Sequence, residues 1–207
     1  MALQRLTCEG VSGIAPVHVC DPCERELGRV RGVILFRGDY DVESLIAKLK
    51  LGTPEGNEQA VTQFETAIQN GDAHLISETS GTYDGGAPQE GDGYGDEENR
   101  LLGYLHTLNF KDPSYAGNVE FYEQIEKEHY KVAWRTETLL HFGDKPAAVH
   151  AIDPVEEDLT SVVVWNGTAT WKSKNKAKVA PLEALKKYFE GCWANQESGS
   201  GSGSTSV

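Results

Sequence analysis

Tyr130-Lys-Val-Ala-Trp-Arg-Thr136 is followed one residue later by Thr138-Leu-Leu-His-Phe142, then by Ala147-Ala-Val-His-Ala-Ile152 and a run from Leu159 to Trp171. All four stretches are rich in β-branched and aromatic residues, and Gly143-Asp-Lys-Pro146 and Asp153-Pro154 punctuate them, so they read as consecutive strands. Strands that follow one another without intervening helices favour antiparallel pairing over a doubly wound parallel sheet. The expected fold is α+β: a mainly antiparallel β-sandwich or barrel-like core with two to three flanking helices and a long acidic loop.

Working outward, Ile14 to Cys20 and Arg29 to Arg37 read as two further strands, parted by Asp21, Pro22 and Gly28. Asp41 is placed to cap a helix through Leu51, with Leu45, Ile46 and Leu49 on one face, and Gly52, Pro54 and Gly56 end it. A second helix is expected from about Glu58 to Gln69, with Val61, Phe64 and Ile68 inward and Asn70-Gly71 as its left-handed stop. Ala73 to Glu78 returns as a strand. Thr79 to Asn99 is rich in glycine and acids and poor in aliphatics, which suits a long loop. Arg100 to Phe110 is a strand, Asn118 to His129 a third helix with Val119, Tyr122 and Ile125 inward, and Pro181 to Glu190 a last short helix. Residues 1–192 are thus read as a single structural domain and 193–207 as a flexible Gly/Ser-rich tail.

The charge is divided unevenly. Leu51 to Asn99 holds eleven Asp or Glu and no Lys or Arg, whereas Lys172 to Lys187 holds six lysines and one glutamate. Such blocks let identical copies dock, the acidic loop of one meeting the lysine segment of the next. A net charge of -13 argues against general binding to nucleic acid or anionic membranes, because phosphate affinity comes from clustered cations. No apolar run has the length of a membrane span, and Met1 to Thr7 lacks the pattern of a signal peptide, so synthesis in a cytoplasm is expected.

Cys8, Cys20, Cys23 and Cys192 are the cysteines, and Cys20-Asp-Pro-Cys23 has the spacing of zinc knuckles and of thiol redox sites. Structural zinc wants four ligands; the second pair would have to be Cys8 with His18 or Cys192. A disulfide or free thiols are the alternatives, so these four stand as zinc-or-disulfide candidates. Asp92, Asp96 and Glu98 offer oxygen ligands for calcium but miss the alternating order of an EF-hand, and a solvated acidic loop is the simpler reading. Histidines 18, 74, 106, 129, 141 and 150 are scattered through strand-like runs, as structural residues are. There is no nucleophile elbow, phosphate loop or His-Glu-x-x-His, so no enzyme is expected and no catalytic residue or cofactor is assigned. Trp165 and Trp171, six apart in one strand, share a face and read as core or interface anchors.

Several phrases together resemble small virion proteins of tailed phages and prophages of Bacteroidota. They are Gly28-Arg-Val-Arg-Gly-Val33, Gly81-Thr-Tyr-Asp-Gly-Gly86, Gly93-Tyr-Gly95, His106-Thr-Leu-Asn-Phe-Lys-Asp-Pro113, Phe121-Tyr122, and Pro154-Val-Glu-Glu-Asp158 leading into the Trp165 to Trp171 strand. The similarity spans about residues 5 to 192 and leaves out the Gly/Ser tail. It implies a non-enzymatic building block of the virion, made in the bacterial host cytoplasm, whose partners are copies of itself in a ring or tube and other virion proteins. A tail-tube or tail-associated subunit is preferred to a capsid-associated decoration protein, and an acidic channel would let DNA pass without sequence-specific binding. The reading from another class is a cytoplasmic zinc-stabilised binding module.

Overall fold

The structure, a computed structural model, describes residues 28–91, 100–114, 117–152 and 163–190. The strand expected at 14–20 and the Gly/Ser tail lie outside the described residues. Along the chain come β1 (Gly32–Arg37), α1 (Val42–Leu51), α2 (Pro54–Gln69), β2 (Ala73–Ile76), β3 (Thr82–Tyr83), β4 (Ala87–Gly91) and β5 (Arg100–Asp112). Then follow α3 (Val119–Ile125), β6 (His129–Arg135), β7 (Leu139–Ile152), β8 (Trp165–Ser173), β9 (Lys178–Pro181) and a 3-10 helix (Glu183–Phe189).

The fold is α+β, and every strand pairing is antiparallel. One nine-stranded sheet runs β2-β1-β6-β7-β8-β5-β3, with β4 added to β5 and β9 to β7. Its ladders stay open. An isolated bridge between Val30 and Gly81 nevertheless brings the segment joining β2 to β3 against the chain just before β1, which makes the sheet barrel-like.

β1 explains why the sheet has a core on each side. Its Val33, Ile34, Leu35 and Phe36 are all fully buried, and a strand buried on both faces reads as a continuous apolar run. Ile34 and Phe36 join Leu45, Leu49, Phe64, Leu185 and Tyr188 under the helices, whereas Val33 and Leu35 join Trp134, Trp165, Trp171, Phe110 and Tyr122 on the other face. α1 starts where the Asp41 carboxylate accepts from Ser44 N at 3.2 Å and stops at Gly52 in the left-handed region (φ 62°). That cap contributes about 1 kcal/mol. Burial of Val42, Leu45, Ile46 and Leu49, at about 1.5–3 kcal/mol for a large side chain, outweighs it; the cap sets the register and the face supplies the stability.

Several boundaries differ from the sequence expectation. α2 begins at Pro54, because Thr53 caps it and proline suits the first helical turn; its fully buried line is Ala60, Phe64 and Ala67, with Val61 and Ile68 half-buried beside it. α3 ends at Ile125 and His129 already belongs to β6. Within the loop expected at 79–99, residues 82–83 and 87–91 are strands paired with β5. Gly143-Asp-Lys-Pro146 does not split two strands but bulges within a single β7: Lys131 faces Pro146 and Ala133 faces Phe142, so three β7 residues stand opposite Val132. Pro146, which has no N–H, is tolerated at such a bulge. The last helix is a 3-10 helix from Glu183, since Lys178–Pro181 pairs with β7 as a strand.

Candidate functional site: a projecting hairpin and a lysine turn

Two features of the β5–β8 end of the sheet have no role in the core. The first is a hairpin arm. β8 pairs with β5 only from Tyr104 to Asp112, while β4 pairs with β5 from Leu105 to Arg100, so the strand pairs at residues 100–103 run on past the end of β8. Gly103 stands at the root of the arm with φ 152°, and a Cβ there would lie 2.9 Å from the Ser173 carbonyl oxygen; only glycine lets β5 leave β8 at this point. Leu101 and Leu102 are 51% and 57% exposed. Leu102 is the extra residue of a bulge, since Gln89 faces Gly103 and Glu90 faces Leu101.

The second feature is the turn from β8 to β9. Half of the lysine block is neutralised within the molecule: Lys178 pairs with Glu43, Lys187 with Glu65 at 3.3 Å, and Lys186 with Glu190 at 3.5 Å. The Tyr188 hydroxyl also donates to Glu65, which, ahead of Lys187, holds that carboxyl below its usual range, and burial pushes the Tyr188 phenol up to about 12. Lys172, Lys174 and Lys176 are exposed and make no ion pair among the described residues. Their turn is braced by Asp144 of the β7 bulge, which accepts from the Ser173 hydroxyl at 2.7 Å and from the Asn175 amide at 3.1 Å; Asn175 N in turn donates to Ser173 Oγ at 2.8 Å. Lys145, next to Asp144 in the bulge, is exposed.

The metal candidates Cys8, Cys20, Cys23, Cys192, Asp92, Asp96 and Glu98 all lie outside the described residues. Among the described residues no three His, Cys, Asp or Glu side chains converge as a metal site, and no helix is long and apolar enough to cross a membrane. The described histidines are dispersed: His106 is fully buried, His74 and His141 are half-buried against aromatic rings, and His129 and His150 are exposed. Trp165 and Trp171 are buried in the core that faces α3. A polar groove of about 620 Å³ runs along α2, lined by Lys48, Gln63, Thr66, Asn70 and Asp72. The arm's leucines and the exposure of Lys145 escape a reading by composition. The signal for Lys145 was Gly143-Asp-Lys-Pro146, whose turn chemistry serves a bulge.

Compared with protein-family models, with curated proteins and with solved structures, the chain matches none.

Proposed function

We propose that this chain is a non-enzymatic structural subunit of a phage virion, of the tail-tube or tail-associated kind, that assembles with copies of itself and with other virion proteins. The observation that carries the reading is the arm. A lone two-stranded hairpin is at best marginally stable in water, and this one exposes two adjacent leucines. Such a hairpin gains its stability by packing on a neighbour, where burying each leucine contributes about 1.5–3 kcal/mol. The net charge of -13 fits a subunit whose channel must repel passing DNA. The phrases that resemble virion proteins of Bacteroidota phages include Gly81 to Gly86 and His106 to Pro113, which contain β3 and part of β5.

The test is molar mass by light scattering across concentration and salt, with electron microscopy of any large species. Rings or tubes are expected from the unaltered chain, and Leu101→Ser/Leu102→Ser is expected to abolish them while leaving the urea midpoint of the monomer unchanged. A chain that stays monomeric in every condition overturns the proposal.

A further inference from the structure

We infer that the open face of β3, β5 and β8 carries a binding site for an acidic sugar, a saccharide bearing a carboxylate. The site lies within one molecule and does not require assembly.

A groove of about 320 Å³ crosses these strands, at the small end of the range for ligand sites. Its side chains stand in two rows. Thr82 faces Asn109 and Asn109 faces Thr168 in the first; Lys111 faces Asn166 in the second, and Ser80 lines the same groove. The residues that alternate with them, Tyr83, Leu108, Phe110, Trp165 and Ala169, belong to the aromatic core, so the two rows point to the opposite face of the sheet. The core beneath the helices takes no residue from β5 or β8, and the rows stay uncovered by that layer.

The rows hold polar groups that the fold does not use. The Thr168 hydroxyl donates to Asn109 Oδ1 at 3.0 Å, which leaves the Asn109 amide hydrogens uncommitted. Arg29 donates to Ser80 Oγ at 2.8 Å, so the Ser80 proton is left to serve another acceptor. Lys111 is fixed through its backbone: its N–H donates to Thr79 Oγ1 at 3.0 Å and its carbonyl accepts the Thr79 hydroxyl. Its ammonium makes no ion pair among the described residues. No Asp or Glu lines the groove, although the chain carries a net charge of -13.

Five neutral hydroxyl or amide side chains around one ammonium select a ligand that is rich in hydroxyls and carries a negative group. An asparagine amide presents a donor beside an acceptor, the pattern that two neighbouring sugar hydroxyls complement. Lys111 meets the carboxylate in a charge-assisted hydrogen bond. Same-face residues of a strand lie about 7 Å apart, which sets the Lys111 row from the Asn109 row by about the width of a sugar ring. A phosphate polymer is a poor match, because its affinity comes from clustered cations and one cation lines this groove. Phe110, the aromatic residue of the groove, is only 2% exposed and offers no ring for stacking, so weak binding is expected.

Saturation-transfer difference NMR on the full chain tests this, since it reads weak binding to a monomer or to an assembly alike. The probes are glucuronate, galacturonate and N-acetylneuraminate, with glucose and acetate as controls. At least one acidic sugar is expected to receive saturation and to bind about tenfold more tightly than either control. Lys111→Met should weaken that sugar about tenfold, to the level of glucose, whereas Asn166→Ala should weaken the acidic sugar and glucose together. Lys174→Met, on the β8–β9 turn, should change nothing. Circular dichroism and urea midpoints establish that each variant is folded. The absence of transfer to all three acidic sugars overturns the inference, as does undiminished binding in folded Lys111→Met. Acetate that binds as tightly as the sugars makes this a plain anion site, and an equal loss in Lys174→Met moves the sugar to the lysine turn; either result also overturns it.

Discussion

The Tyr83 hydroxyl stands 2.7 Å from Nδ1 of His106, and the pair is sealed among aromatic rings. Trp171 lies nearly parallel to the imidazole at 5.1 Å, and the Tyr83 ring meets Trp134 at 4.4 Å. Burial, with Asp84 and Asp144 nearby, pushes the phenol up to about 12, so it is neutral across the usual pH range. His106 is fully buried and its Nε2 has no hydrogen-bond partner among the described residues, which leaves Tyr83 as the group that satisfies the ring. Tyr83→Phe is therefore expected to destabilise by about 1–3 kcal/mol in urea unfolding. The double variant with His106→Phe should cost less than the sum of the singles, because it removes the orphaned nitrogens as well. Strict additivity would contradict this account.

Asp112 is buried at the end of β5 and accepts from Ser114 N at 2.8 Å, Asn118 Nδ2 at 2.6 Å and the Tyr122 hydroxyl at 2.9 Å. It ties the strand to α3, whose cap residue Asn118 makes no capping bond with its side chain. Asp112→Ala should orphan these donors, at about 1–3 kcal/mol for each buried one. Hydrogen exchange should show α3 opening well before the sheet; uniform exchange across α3 and β6 would show that the helix is held by packing alone.

His74 packs edge-on to Phe121 at 5.1 Å and Tyr130 at 5.9 Å, and burial, opposed by Glu128, lowers its pKa from the ordinary 6.5. The unfolded chain then takes up the proton first as pH falls. The stabilisation is complete above the unfolded value and is lost as pH drops through it towards the folded value. Urea midpoints measured from about pH 8 to about pH 5 should decline on the acid side, and His74→Phe should flatten that decline. An unchanged slope would place the acid sensitivity elsewhere.

Gly81 holds the isolated bridge to Val30 that makes the sheet barrel-like. A Cβ there would sit 2.2 Å from the Asn109 carbonyl oxygen, which belongs to the backbone of β5 and cannot swing aside. Gly81→Ala should cost about 1–3 kcal/mol through overpacking. The amides of Val30 and Gly81, which donate to each other's carbonyls, should lose their exchange protection while those of β8 keep theirs. Full protection at Val30 in this variant would refute the argument.

What could be read from sequence followed the strength of the apolar pattern. β1, α1, β6 and the Trp165–Trp171 face announce themselves through aliphatic and aromatic spacing. β3 and β4 do not: Thr82, Tyr83 and the run Ala87-Pro-Gln-Glu-Gly91 lack alternation, and it is pairing with β5 that makes them strands. The lysine block reads as uniform, yet Lys178 and Lys187 meet Glu43 and Glu65 across 135 and 122 residues of chain, which no local pattern reveals. The candidate interface was therefore legible as a charge and illegible as a place. Only the fold shows that Lys174 and Lys176, which make no ion pair among the described residues, lie on the turn that Asp144 braces.

β1 has a final consequence, for how the molecule comes apart. Its odd and even residues feed opposite cores, so the same few peptide units form a party wall between the helical layer and the aromatic interior. A lesion in that wall, such as a truncated Leu35 or Phe36, is felt on both sides at once through a backbone that cannot serve one core and abandon the other. Melting of the two halves is thereby locked into one cooperative event, in which the chain is either wholly native or wholly unfolded.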